Sequence, residues 1–128
     1  EEDELLRLAT SQDVLKLSVA DLGFCLTHKK MGATTVSATL KLAHMAGIGI
    51  FATGGLGGVH RGAQESFDIS ADLHALKTYP MGVVSSGVKS ILDVPKTLEY
   101  METLGVAVVG YGQAPFALFW SKGGPALG

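Results

Sequence analysis

The chain has 128 residues, ten basic and twelve acidic side chains for a net charge of −2, an apolar fraction of 47% and a mean hydropathy of +0.32. That is enough chain for one domain with a real core, and too apolar for a disordered segment. It carries no basic block and no aromatic–basic interleaving, which argues against a nucleic-acid partner, and its most apolar run, Leu42 to Thr53, falls short of the ~20 residues of a membrane span.

In chain order, residues 1–9 read as the end of a helix and are too acidic for a signal peptide. Val14 to Leu17 is a short strand candidate, and Ser18 to Asp21 has the S-x-x-D form of a capping box before a short helix. Cys25 is the lone cysteine, so no internal disulfide forms and the expected compartment is intracellular, cytoplasmic or mitochondrial. Gly32 to Val36 opens a predicted helix that runs to about Ala46 and stops at Gly47. Ile48 to Ala52 is apolar without alternation, as in a parallel strand covered on both faces. Further along, Ile69 to Lys77 is a predicted short helix, Met81 to Val84 a buried strand and Ser86 to Leu92 a short helix. A longer helix starts at Asp93 with Pro95 in its first turn and stops at Gly105, and Val106 to Val109 follows as a strand.

Strands alternating with helices predict an α/β fold, a largely parallel sheet with helices on both faces. In such sheets ligands bind beyond the carboxyl ends of the strands, where TGGLGG, SSGVK and GYGQ all fall. The sheet has few strands and exposed edges, so the chain reads as a piece of a larger protein or one completed by oligomer contacts.

The chemistry-bearing residues cluster in two stretches, Phe51 to Asp72 and Ser85 to Asp93. Thr53-Gly-Gly-Leu-Gly-Gly58 follows a strand, and its amides can approach a ligand; the alternative is a tight turn only. From Gly55 the pattern is G-x-G-G-x-H, which lacks the third glycine of a dinucleotide fingerprint. His60 can orient a substrate oxygen, and Arg61 suits a phosphate or carboxylate. Asp68 and Asp72 share a face if the segment is helical, and one carboxylate with waters can hold a hard divalent cation; the alternative is helix capping by Asp68 or Ser70. Lys89, in the first turn of a predicted helix, opposes the helix dipole, and that field with burial frees the amine as a nucleophile; the alternative is a solvated surface lysine. Gly82 to Ser90 approaches a P-loop but has one residue too many before Lys89. Lys16 and the helix start at Thr34-Thr35-Val36 can both meet a phosphate, or serve as a surface lysine and a plain cap.

The segments KLSVADL, GATTVSATL, GIFATGGLGGVHRGA, FDISADL, SSGVKSILDVPKTLEY and LGVAVVGYG occur in that order in one family, and the chain from Lys16 to Phe119 resembles the central part of a pseudouridine-5'-phosphate glycosidase. The resemblance implies reversible cleavage of a C-glycosidic bond to uracil and ribose 5-phosphate, a divalent metal such as Mn²⁺, and an α/β homotrimer. It implies Lys89 as the Schiff-base lysine, Asp68 as the metal carboxylate, and Lys16, Val36, Thr53, His60, Ser70, Ala71 and Asp72 as substrate contacts. It also puts the family's general-acid glutamate N-terminal, and a uracil-contacting asparagine C-terminal, to the residues present. Residues 1–128 are then one partial catalytic domain, with 121–128 a divergent tail. The other expectation is a non-catalytic phosphosugar-binding or oligomerisation fragment of that enzyme.

Overall fold

The computed structural model describes residues 2–112 and 114–127. Its elements are α1 (Glu2–Thr10), β1 (Leu15–Leu17), α2 (Leu22–Thr27), β2 (Gly32–Thr34), α3 (Val36–Met45), β3 (Ile50–Thr53), α4 (Ala63–Ser66), α5 (Ala71–Thr78), β4 (Gly82–Ser85), β5 (Val88–Lys89), α6 (Val94–Leu104) and β6 (Leu118–Phe119). Every strand ladder among them is parallel, so the α/β class read from the sequence is the class observed. The strands form three separate pairs, β1–β2, β3–β4 and β5–β6, rather than one continuous sheet.

Local chemistry sets the helix ends. In α3, Gly47 at φ 73° follows the last turn, with Gly47 N–H donating to His44 O and Ile48 N–H to Ala43 O. α6 closes the same way at Gly105, φ 69°, through Gly105 N–H to Glu102 O and Val106 N–H to Met101 O. Both are Schellman closures, which satisfy the last carbonyls through a left-handed glycine. At the other end of α6, the Asp93 side chain accepts from Lys96 N and Pro95 occupies the first turn. Ahead of α2, Asp21 Oδ2 accepts from both Ser18 N and Ser18 Oγ, at 2.8 and 2.7 Å, which holds its carboxyl below the usual aspartate range, the Ser18 side-chain bond first and its backbone bond second.

The structure departs from four sequence-based expectations, the first two because of strand pairing at a distance. Gly32 to Thr34 forms β2 beside β1 instead of opening a helix, and Thr35 N–H bonds Leu17 O before α3 begins. Ser86 to Leu92 is not helical, because Val88 and Lys89 pair with Leu118 and Phe119 as β5–β6. Val106 to Val109 joins no ladder; Val106 and Val108 are half-buried while Ala107 and Val109 are exposed, an alternation without a strand partner. The segment expected to be covered on both faces becomes β3 with an open face: Phe51 and Thr53 turn inward, whereas Ile50 is 72% exposed. An apolar run records that one face is buried and says nothing of a second layer over the other.

The main core joins Leu56 and Val59 of the glycine loop, Leu73 of α5, Val88 of β5, Leu92, Met101 of α6 and Phe116. Leu17, Leu22, Cys25 and Ala38 form a smaller cluster, where the Cys25 thiol donates to Lys30 O at 3.0 Å and is a core residue as expected. No helix among the described residues is long and apolar enough to cross a membrane.

Candidate active site

The site is organised by residues 53–60, which leave the end of β3 and run past the amino ends of α5 and α6. Leu56 bridges Val88 in parallel, with Leu56 N–H donating to Gly87 O and Lys89 N–H to Leu56 O. Farther on, Val59 bridges Ile69 antiparallel: Ser70 N–H donates to Gly58 O and His60 N–H to Asp68 O. One loop is therefore stitched to the lysine segment at its start and to the aspartate segment at its end.

Its glycines make room for side chains. A Cβ on Gly55 would stand 2.6 Å from Phe119 Cδ1 and 3.2 Å from Lys89 Cγ. On Gly57 it would meet Ser70 Oγ and lie 2.7 Å from Asp72 Oδ2, and on Gly58 it would lie 2.6 Å from Thr97 Oγ1. Several of the loop's amides, read from the sequence as available to a ligand, are committed within the protein. Asp72 Oδ2 accepts from Gly57 N at 2.9 Å, Thr97 Oγ1 accepts from Val59 N at 2.9 Å, and the Leu56 and His60 amides bond backbone carbonyls.

Asp72 is 6% exposed and accepts at both oxygens, from Gly57 N through Oδ2 and from Ser37 N through Oδ1 at 2.9 Å. It ties the start of α5 to the start of α3 and to the loop. The Ser37 amide, one of the free donors expected at the start of α3, is thus occupied by a carboxylate of the protein itself, a favourable partner for a helix N-terminus. Ser70 caps α5 by accepting from Asp72 N. Because α5 begins at Ala71, Asp68 lies outside it, and the two aspartates do not share a helix face. Asp68 stands in solvent instead, its side chain 63% exposed, with Oδ2 3.6 Å from His60 Nδ1.

Lys89 is exposed at the end of β5 and follows no helix start, so the helix dipole does not act on it as expected. The same strand removes the P-loop reading, which needs a loop entering a helix at the lysine. Its stem lies over Gly55 beside the ring of Phe119, its register partner in β6.

Of the residues singled out, Thr53, His60, Asp68, Ser70, Asp72 and Lys89 belong to the loop or to the segments stitched to it. Ala71 adjoins Asp72 at the head of α5, and Val36 precedes Ser37 in α3. Lys16 is one step removed: it is exposed in β1, and the link to α3 runs through Leu17 O and Thr35 N. In GYGQ, Gln113 lies outside the described residues. Sequence reasoning missed Thr97, Ser37 and Phe119. The adjacent pair Gly57-Gly58 was the available signal, since two glycines without a turn mark a close approach by neighbouring side chains.

The family model described as indigoidine synthase A like protein matches residues 1–125. The pseudouridine-5'-phosphate glycosidase of Paracoccus denitrificans is 57% identical over 119 residues, 93% of this chain and 39% of its own length. That of Jannaschia sp. is 56% identical over 119 residues with the same coverage. Among solved structures, the prealnumycin C-glycosynthase AlnA in complex with ribulose 5-phosphate superposes with a TM-score of 0.95 at 41% identity, over 98% of this chain and 42% of that one. An indigoidine synthase A-like protein of Thermotoga maritima superposes at 0.90 and 38% identity, over the same shares. The chain thus spans about two fifths of the length of these relatives. Matched over 125 of its 128 residues by the family model, and folded as solved members of its class are, the chain belongs to the indigoidine synthase A-like protein family.

Proposed function

We propose that the chain carries the lysine-bearing part of a pseudouridine-5'-phosphate glycosidase site. The observation that supports this best is the single loop 53–60, which unites Lys89, the Ser70–Asp72 segment and the His60–Asp68 pair, in a chain 57% identical over 93% of its length to a relative of that name. The substrate is pseudouridine 5'-phosphate, and the products are uracil and ribose 5-phosphate. A ribulose 5-phosphate complex of AlnA, at 41% identity, supports the phosphosugar class.

A carbon–carbon glycosidic bond has no heteroatom leaving group, so it needs an electron sink at the sugar carbon. The Lys89 amine adds to C1' as the ring oxygen leaves, forming a C–N bond and breaking C1'–O, and the proton lost from the amine goes to the freed ring oxygen. The nitrogen lone pair then expels the base carbon, which takes up a proton from an acid, and water releases the sugar phosphate from the resulting imine. Lys16, Val36, Thr53, Ser70 and Ala71 orient the sugar phosphate, and His60 holds a substrate oxygen. Asp72 acts from beneath, by fixing Gly57. Among the described residues no group of three or more His, Cys, Asp or Glu side chains is gathered for a metal. The exposed Asp68 carboxylate beside His60 Nδ1 suits a hard cation such as Mn²⁺ bound through one carboxylate and waters. A cation held by Asp68 would supply Lewis-acid polarisation of substrate oxygens. Assembly as a homotrimer belongs to the same reading.

The test is intact-protein mass spectrometry after incubation with ribose 5-phosphate and Mn²⁺ and trapping with borohydride. The chain acquires one reduced sugar-phosphate adduct, and Lys89→Ala acquires none. An adduct of equal yield on the Lys89→Ala chain overturns the assignment of the lysine. No adduct on either folded chain favours a non-catalytic phosphosugar-binding role.

A further inference from the structure

Thr97, in the first turns of α6, is fully buried and polar. Its hydroxyl donates to Asp93 O at 2.7 Å and accepts from Val59 N at 2.9 Å. Val59 is gripped a second time, because its carbonyl accepts from Asp93 N at 2.9 Å. The segment that reaches Asp93 is the one that leaves Lys89, with Leu92 N–H closing a turn on Lys89 O. Val59 in turn precedes His60, whose amide bonds Asp68 O. One hydroxyl therefore stands where the two halves of the site meet: the Lys89 strand with its turn on one side, the His60–Asp68 pair on the other. The close approach is built into the sequence, since Gly58 carries no Cβ to collide with Thr97.

Resting on the lysine reading above, we propose that Thr97 is a positioning residue, whose buried hydroxyl fixes the separation between Lys89 and the His60–Asp68 pair. It touches no substrate. The shape of the side chain is not what the role requires, because a Val at this position fills nearly the same volume and lacks only the hydroxyl. In Thr97→Val the Val59 amide loses its acceptor inside the core, where an unpaired donor is costly. Val59 then shifts toward another partner and carries His60 with it.

The experiment compares this chain with Thr97→Val and Thr97→Ser, which differ in the hydroxyl and in the methyl. Two quantities are read: amide hydrogen exchange at Val59, and the rate of borohydride-trapped adduct formation with ribose 5-phosphate. Thr97→Val is expected to speed Val59 exchange and slow trapping, each by about ten- to hundredfold, while Thr97→Ser stays close to the parent in both. Unchanged Val59 exchange in Thr97→Val overturns the tether. Equal losses in Thr97→Ser and Thr97→Val also overturn it, because they trace the effect to the methyl group. Altered exchange with unchanged trapping overturns the positioning role alone. No adduct on the parent chain overturns the lysine reading, and the positioning role with it, while the exchange data still decide whether the tether exists.

Discussion

Lys89 and Phe119 are register partners in the parallel β5–β6 pair, and both side chains lie against Gly55. The ring and the lysine stem thus share one backbone floor, and the floor has no room for a methyl group. In Gly55→Ala the new Cβ meets a ring atom 2.6 Å away and the Lys89 stem 3.2 Å away. Overpacking of this kind destabilises by about 1–3 kcal/mol. Urea unfolding should show that loss, and adduct trapping at Lys89 should slow with it. Adding Phe119→Leu should return part of the stability of Gly55→Ala, since a smaller side chain can move aside. Additive losses in the double variant would place the conflict elsewhere.

Asp72 separates positioning from contact within the candidate site. Both of its oxygens accept backbone N–H groups in a buried setting. In Asp72→Asn one of these acceptors becomes an NH₂ that confronts a donor, and an N–H of Gly57 or Ser37 is stranded. The expected loss is about 1–3 kcal/mol in urea unfolding, accompanied by faster amide exchange at Gly57 and Ser37. Stability equal to the parent, with exchange at both amides unchanged, would show that the carboxylate does not hold the loop.

What was legible in the sequence is what is set locally. Asp93, Pro95, Gly47 and Gly105 marked helix ends because a cap is satisfied within four or five residues of itself. The conjunction of Thr53 to Asp72 with Lys89 was also legible as a candidate site, because the residue types are chemically unusual together, and the structure brings the two segments side by side through Leu56 and Val88. The environment of Lys89 was not. SSGVKSILD has no local bar to a helix, yet Val88 and Lys89 become a strand by pairing with Leu118 and Phe119, and with Leu56 through a bridge. The use of the glycines was equally hidden. They read as a cradle for a ligand, whereas Gly57 and Gly58 admit Ser70, Asp72 and Thr97, contacts that no local pattern encodes. Asp72 itself looked like half of a carboxylate pair with Asp68 until Ser70 started the helix between them.

Gly87 offers a test of the backbone that delivers Lys89. Its φ is 96°, outside the range open to L side chains, and a Cβ there would overlap the Ala117 carbonyl. Gly87→Ala therefore strains the turn and pushes apart β5 and the segment leading into β6. Left-handed backbone alone costs about 1–2 kcal/mol for a non-glycine residue, and the overlap adds to it. Thermal unfolding should fall clearly below that of Gly82→Ala, where the nearest atoms to a new Cβ are 3.9 Å away and φ is not positive. Equal midpoints for the two variants would show that the Gly87 turn relaxes without strain.

The pH dependence of stability should carry a contribution from Asp93. Its carboxyl is held below the usual aspartate range, first by the side-chain bond to Lys96 and then by the Lys96 amide, with Coulombic help from Lys96 and Arg61. Lys96 Nζ lies 2.9 Å from Asp93 Oδ2, and the same ammonium reaches Gln64 Oε1 at 3.2 Å. Folding lowers the pKa, so the unfolded chain binds the proton more tightly. The stabilisation is then complete above the ordinary aspartate value, ~3.9, and is lost as the pH falls through the lowered one. Asp93→Asn keeps an N-cap acceptor and removes the charge. Its unfolding midpoint should fall slightly below the parent at pH 7 and converge on it in acid, with the gap at pH 7 narrowing in high salt because the Lys96 end of the pair is exposed. A gap that stays constant from pH 7 into acid would assign the loss to the cap geometry, leaving the Lys96 pair without a role.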